Sequence, residues 1–272
     1  MTAQQGKQRV AIAGLGAIGK TIARELDRGI DGLVLSAVAS SEPDKHRDFL
    51  TSLSSSPQVL PIESLWEAAD IVIEAAPSRL LPMIVAPFVS RGKTAIVLSA
   101  AALLDNEDLV AQAKANGGHI IVPTGALIGL DAVTAAAAGT IHSVRMISRK
   151  PVAGLRGAPF IVERGIDIDK LDAPLKLFEG TAREAGKGFP ANLNVAVALS
   201  LAGIGPDRTI IEMWADPTIT RNTHRIEVDS DSARFSMTIE NIPSENPKTG
   251  LITALSVVAL LRKRTAALQV GT

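Results

Sequence analysis

The chain has 272 residues, 46% of them apolar and 21% charged, with 28 basic side chains against 28 acidic ones. That is globular composition, with length enough for one large domain or two ordinary ones. The charge balance argues against a nucleic-acid partner, and the absence of cysteine excludes disulfides, thiol nucleophiles and cysteine-based zinc sites.

The opening MTAQQGKQRVAIAGLG passes from a polar tail straight into an apolar strand, without the longer apolar core and cleavage site of a secretory leader. No uncharged apolar run reaches the roughly 18–20 residues of a membrane span. A soluble, cytoplasmic protein without a membrane partner is expected. RVAIAGL (9–15) is a nearly continuous apolar run, as a strand buried on both faces should be. GKTIARELDRG (19–29) follows with helical spacing, then LVLSAVA (33–39) as a second strand. Residues 62–69 read as a short helix, DIVIEAA (70–76) as a third strand and LLPMIVAPFVSRG (80–92) as a helix with Pro82 in its first turn. TAIVLSA (94–100), DNEDLVAQAKANGG (105–118) and HIIVP (119–123) read as strand, helix and strand. Such alternation predicts an α/β fold opening with a doubly wound, parallel Rossmann sheet over residues 1–123.

Beyond Pro123 the texture changes. GLDAVTAAAAG is helix-like, SVRMISRKP (143–151) strand-like, and residues 170–188 and 192–203 read as helices. Three strand patterns follow, at 209–217, 223–230 and 233–241. The last two alternate cleanly, with Ile226 and Val228 opposed to Arg225 and Glu227. One covered face and one wet face imply a largely antiparallel or mixed sheet, in a second α/β (α+β-like) domain over 124–245. Residues 246–272 read as a C-terminal helix packing back on the first domain, with Asn246 as N-cap and Pro247 at its first position. Its apolar residues nearly surround it, which predicts burial on most sides.

GLGAIG places Gly14, Gly16 and Gly19 in G-x-G-x-x-G spacing, between a strand and a helix. Gly14 allows the tight turn, Gly16 lets the backbone approach a pyrophosphate, and Gly19 lets the helix pack closely on the strand. Phosphates would sit on the free N–H groups at Ala17 and Ile18, where the helix starts. The acidic residue usual at the end of the second strand is missing, and Ala39, Ser40 and Ser41 stand there instead. Hydroxyls followed by Lys45 and Arg47 suit a 2′-phosphate, so the expected cofactor is NAD or NADP, with NADP used at least as well. Ordinary polar loop residues are the bland alternative.

Nicotinamide chemistry needs a proton acceptor with a pKa near neutrality, which favours histidine. His46, His119 and His142 lie in a loop or at strand starts and have bland readings. His224, in TRNTHRIEV, shares the covered face of Ile226 and Val228 at the front of its strand. Pattern alone leans towards a structural ring there.

Taken in order, GLGAIG, PTGALIGLDA, SRKP, FPANLNVAVALSLAG, DRT, ADP, RNTHRIEV and NPKTG resemble the L-aspartate dehydrogenase family along essentially the whole chain. The resemblance implies NAD(P)-dependent oxidation of L-aspartate to iminoaspartate, which hydrolyses to oxaloacetate and ammonia or feeds quinolinate synthase and so NAD biosynthesis. It implies a catalytic role for His224, cofactor contacts at Ala126 and Asn194, and a homodimer. Gly250 departs from the serine frequent after NPKT in the family. An aspartate substrate needs cations for its two carboxylates. Lys150, Arg221 and Lys248 are the candidates, with Arg149 also available and Arg225 weakest because it alternates away from His224. No metal is expected. Two rivals stay open: another two-domain oxidoreductase, of homoserine or dihydrodipicolinate type, and a non-catalytic dinucleotide sensor.

Overall fold

A computed structural model describes residues 6–190, 193–243 and 250–271. The chain divides into two compact units, Met1–Pro123 with Ala254–Gln269, and Thr124–Thr253 with Val270–Thr272. The first unit runs β1 (Gln8–Ala13), α1 (Ala17–Arg28), β2 (Leu33–Ala39), α2 (Arg47–Thr51), β3 (Gln58–Val59), α3 (Leu65–Ala68), β4 (Ile71–Glu74), α4 (Leu81–Val89), β5 (Thr94–Val97), α5 (Asp108–Asn116) and β6 (His119–Ile121). Its six strands are parallel, in the order β3-β2-β1-β4-β5-β6. The doubly wound reading holds, with the direction of winding reversing at β1, between β2 and β4. Two-residue β3 had no sequence signal; it adds to β2 through Ala37 and Val38.

Alternation along these strands sorts side chains by size. Val10, Ile12, Leu33, Leu35, Ile71, Ile73 and Ile96 pack on one face with Ile22 and Leu26 of α1. Ala11, Ala13, Ala37, Ala39 and Ala95 line the other, where Leu81, Ile84 and Phe88 of α4 fill the room that the small side chains leave. Phe88 is fully buried, and truncating such a ring to alanine costs about 3–5 kcal/mol.

The second unit contains α6 (Leu130–Ala137), β7 (Ile141–Lys150), α7 (Pro159–Glu163), β8 (Leu175–Thr181), α8 (Ala182–Gly188), α9 (Asn194–Ala202), β9 (Ile210–Ala215), β10 (Asn222–Ser230) and β11 (Arg234–Asn241). Its sheet has the order β11-β10-β7-β9-β8. β7 and β9 are parallel and every other pair is antiparallel, so the sheet is mixed. Val144, Met146, Ile211, Met213, Ile226 and Val228 are buried on the covered face. Helices lie on it: Gly203, at the end of α9, sits beside Val133 of α6 and Val144, and Gly129, before α6, beside Met237. The other face carries ion pairs, Arg145 with Glu179 and Glu212 and Arg225 with Glu227.

Two expectations need correction. Residues 170–188 are not one helix: β8 occupies the first part as an edge strand on β9, and α8 begins after it. The break is a capping box, in which Thr181 Oγ1 accepts from Glu184 N at 3.2 Å and Glu184 Oε2 accepts from Thr181 N at 2.8 Å. The C-terminal helix, α10 (Ile252–Thr265), is not buried on most sides. Ala254, Val257, Val258 and Leu261 join the core of the first unit, while Leu251, Ile252 and Leu255 are exposed. Asn246 and Pro247 lie outside the described residues. Among those described, no helix is long and apolar enough to cross a membrane.

Candidate active site

In the first unit, the Gly14–Gly19 turn joins β1 to α1. Gly14 has φ +104°, and a Cβ there would lie 2.4 Å from the Ala75 carbonyl oxygen. A Cβ on Gly19 would lie 2.0 Å from the Gly14 oxygen, so this glycine is what lets α1 start against the turn. Gly16 is different: it is exposed, extended, and open on its Cβ side. Above it, Ala17 and Ile18 start a twelve-residue helix with no acidic side chain in its first turn. Unpartnered N–H groups, the positive end of the helix dipole and an open approach make a cradle that fits a pyrophosphate.

Beyond β2, Ser40 Oγ accepts from Glu42 N at 3.2 Å. Lys45 pairs with Glu42 and Arg47 with Asp44, all on exposed side chains. Such surface pairs are weak and rearrange easily, so they leave both cations available to a phosphate. His46 follows in the same turn, its pKa lowered by burial and by Lys20 and Lys45. At the end of β4, Glu74 is wholly buried. Burial pushes its carboxyl up to about 7 against the opposing effect of hydrogen bonds from Ser99, Leu98 and Ala76.

In the second unit, the covered face of the sheet turns polar at one end. His224, third residue of β10, faces Ser148 of β7 directly across the antiparallel ladder. Ser148 Oγ lies 3.0 Å from His224 Nδ1. Lys150, two residues along β7, points to the same face, and all three side chains are at most 3% exposed. Burial first, and the Lys150 charge second, lower the His224 pKa to about 3, so the imidazole is neutral at pH 7. Burial lowers Lys150 to about 8. Among the described residues no carboxylate pairs with Lys150. Asp216, whose amide donates to the Lys150 carbonyl, gives its own carboxylate to Thr218 and Arg149. Asn222 and Asn241, register partners on β10 and β11, complete the polar end, and Asn241 Nδ2 donates to the Ala126 carbonyl at 2.9 Å.

The other residues named from sequence are placed differently. Asn194 is the exposed first residue of α9. Arg221 precedes β10, is exposed, and lies 3.7 Å from Glu240; the structure does not bring it to His224. Arg149 lies on the wet face, with its guanidinium 4.9 Å from the Trp214 ring centroid. Lys248 lies outside the described residues. Sequence reasoning missed Ser148 and Glu74. Both had a legible signal: Ser148 shares the parity of Lys150, and Glu74 is a lone acid closing the apolar run IVIE.

Comparison with known proteins gives two family matches. The profile "Aspartate dehydrogenase, C-terminal" matches residues 131–264, and "Homoserine dehydrogenase, NAD binding domain" matches residues 14–123. L-aspartate dehydrogenase of Bradyrhizobium diazoefficiens is 72% identical over 97% of this chain and 94% of that protein. L-aspartate dehydrogenase 3 of Bordetella bronchiseptica is 58% identical over 97% of each. The crystal structure of aspartate dehydrogenase from Thermotoga maritima superposes with a TM-score of 0.71 at 22% identity, covering 97% of this chain and 99% of that one, a likeness of fold.

Proposed function

The chain belongs to the L-aspartate dehydrogenase family, and on that premise we propose that it oxidises L-aspartate with NAD or NADP to iminoaspartate, which water converts to oxaloacetate and ammonia. The observation that carries this reading is the buried Lys150 ammonium, with no carboxylate partner among the described residues, on the same sheet face as the neutral His224 imidazole. An isolated buried cation is costly. A substrate carboxylate is the counter-charge it lacks. Lys248 is our candidate for the other carboxylate.

His224 takes the proton of the substrate ammonium, directly or through one water. For this, Nδ1 carries its hydrogen towards Ser148 Oγ and leaves Nε2 as the acceptor. A ring with a pKa of about 3 is a weak base. A carboxylate on Lys150 offsets the charge that contributes to this depression, so substrate binding itself strengthens the base; burial, the larger cause, remains. The freed amine lone pair then assists departure of the Cα hydrogen. Bound at the Gly14–Gly19 turn, NAD(P) supplies the hydride acceptor. After passing that proton to solvent, the imidazole is again a base and takes a proton from the water that attacks the iminium carbon.

Ser40, Ser41, Lys45 and Arg47 support use of NADP at least as well as NAD. Iminoaspartate that escapes hydrolysis is available to a quinolinate synthase, and we expect the enzyme to act in the cytoplasm as a homodimer. The test is an absorbance assay of nicotinamide reduction with L-aspartate, for the wild type and His224→Ala. Turnover should fall by roughly 10²–10⁴-fold, the usual contribution of a general base, with dinucleotide affinity unchanged. Wild-type turnover in folded His224→Ala would refute the assignment.

A further inference from the structure

Glu74 takes no part in the chemistry above, yet it is the most completely buried carboxylate described, at 0% exposure. Its Oε2 accepts from Leu98 N at 3.1 Å and Ser99 N at 2.8 Å, and its Oε1 accepts from Ser99 Oγ at 3.0 Å. The Ala76 amide adds to them. Leu98 and Ser99 have just left β5, and Ala75 and Ala76 have just left β4. These donors lie beyond the last paired residues, Glu74 and Val97, of the β4–β5 ladder. An apolar side chain at position 74 would strand them.

The place matters as much as the bonds. Open parallel sheets hold ligands outside the carboxyl ends of their strands, near the strand where the winding reverses. β4 is the neighbour of that strand, β1. Ala75 N donates to Ala13 O at 2.9 Å, and the Ala75 carbonyl is the atom that excludes any side chain from Gly14. A continuous line of contacts therefore runs from Ser99 through Glu74 and Ala75 to the glycine turn.

We propose that Glu74 is a positioning residue of the dinucleotide site: its carboxylate fastens the segment leaving β5 to the segment leaving β4, and so holds the backbone against which the Gly14 turn is shaped. This rests on the dinucleotide reading above. Hydrogen-bonding capacity is the property it needs. A glutamine accepts the Leu98 and Ser99 amides on its oxygen and donates from its nitrogen to Ser99 Oγ.

The experiment is calorimetric titration of NAD and NADP, without amino acid, into wild type, Glu74→Ala, Glu74→Gln and Ser99→Ala, each checked for folding by circular dichroism. Glu74→Ala should weaken dinucleotide binding by about tenfold or more, the cost of stranding buried donors. Ser99→Ala should weaken it by about threefold, and Glu74→Gln should stay within about twofold of wild type. In the aspartate assay, Glu74→Ala should raise the KM for dinucleotide and leave kcat at saturation within about twofold, a split that general loss of packing does not produce. Wild-type affinity in folded Glu74→Ala would overturn the proposal, as would a Glu74→Gln protein as weak as Glu74→Ala. Should Glu74→Ala not fold, Ser99→Ala and Glu74→Gln decide it: equal affinities in those two overturn it. A wild-type protein that binds neither dinucleotide would instead sink the dinucleotide reading itself.

Discussion

Replacing Lys150 by methionine should stabilise the protein while nearly abolishing its activity. The side chain is 3% exposed, and burial alone lowers its pKa from 10.5 to about 8. At about 1.36 kcal/mol per pH unit, that interval is worth about 3 kcal/mol. Because burial depresses the value, the folded state binds the proton less tightly than the unfolded state. The penalty is therefore constant below about pH 8, shrinks as pH rises through the interval to 10.5, and is gone above it. Methionine has similar length and no charge. At pH 7, Lys150→Met should gain about 3 kcal/mol, or roughly 10 °C in the transition of a unit of this size. The gain should fall towards zero by about pH 10.5. Thermal melts of both proteins from pH 7 to 10.5, each at matched ionic strength, read the difference directly. If Lys150→Met were less stable at pH 7, or if the gap did not narrow with pH, the ammonium would not be buried without a counter-charge. Aspartate turnover should fall at least about 100-fold, the scale of truncating a buried charge contact. A stabilised but inactive variant would be the signature of a residue kept for function.

Three further changes probe the neighbouring claims. Ser148→Ala removes the partner of His224 Nδ1 and should lower kcat by roughly tenfold with little effect on the KM for dinucleotide; an unchanged kcat would show that the ring needs no such anchor. Gly19→Ala places a methyl 2.0 Å from the Gly14 oxygen and should remove dinucleotide binding or destabilise the first unit by several kcal/mol, which titration and melting would separate. Arg221→Ala should leave the KM for aspartate within about twofold, because its exposed ion pair with Glu240 contributes little; a tenfold rise would return Arg221 to the substrate.

Much of the architecture was legible because it follows from short-range rules. Parallel strands buried on both faces must be apolar throughout, and IVIE and TAIV are apolar but for one terminal residue each. A strand has a period of two, so Ser148 with Lys150, and His224 with Ile226, share faces by covalent geometry alone. The same rule separates Arg149 and Arg225 from them. Where reading failed, a local signal had two solutions. Residues 175–181 carry apolar side chains compatible with a helix or an edge strand, and only the free edge of β9 decided for a strand. The apolar girth of α10 suggested burial on most sides, but the first unit offers it one face.

By itself, then, the sequence determined which side chains point together on each strand, where a phosphate could be cradled, and which histidine stands among apolar neighbours. Tertiary structure alone decided which strands lie side by side. The register of β10 on β7 sets His224 opposite Ser148 and near Lys150, although 76 residues separate the first two along the chain. It also made Glu74, at the end of β4, the acceptor for amides leaving β5. The physical reason is that the facing of a side chain is built into its own strand. Its neighbour across the ladder, its burial and hence its proton affinity depend on segments far away in the chain.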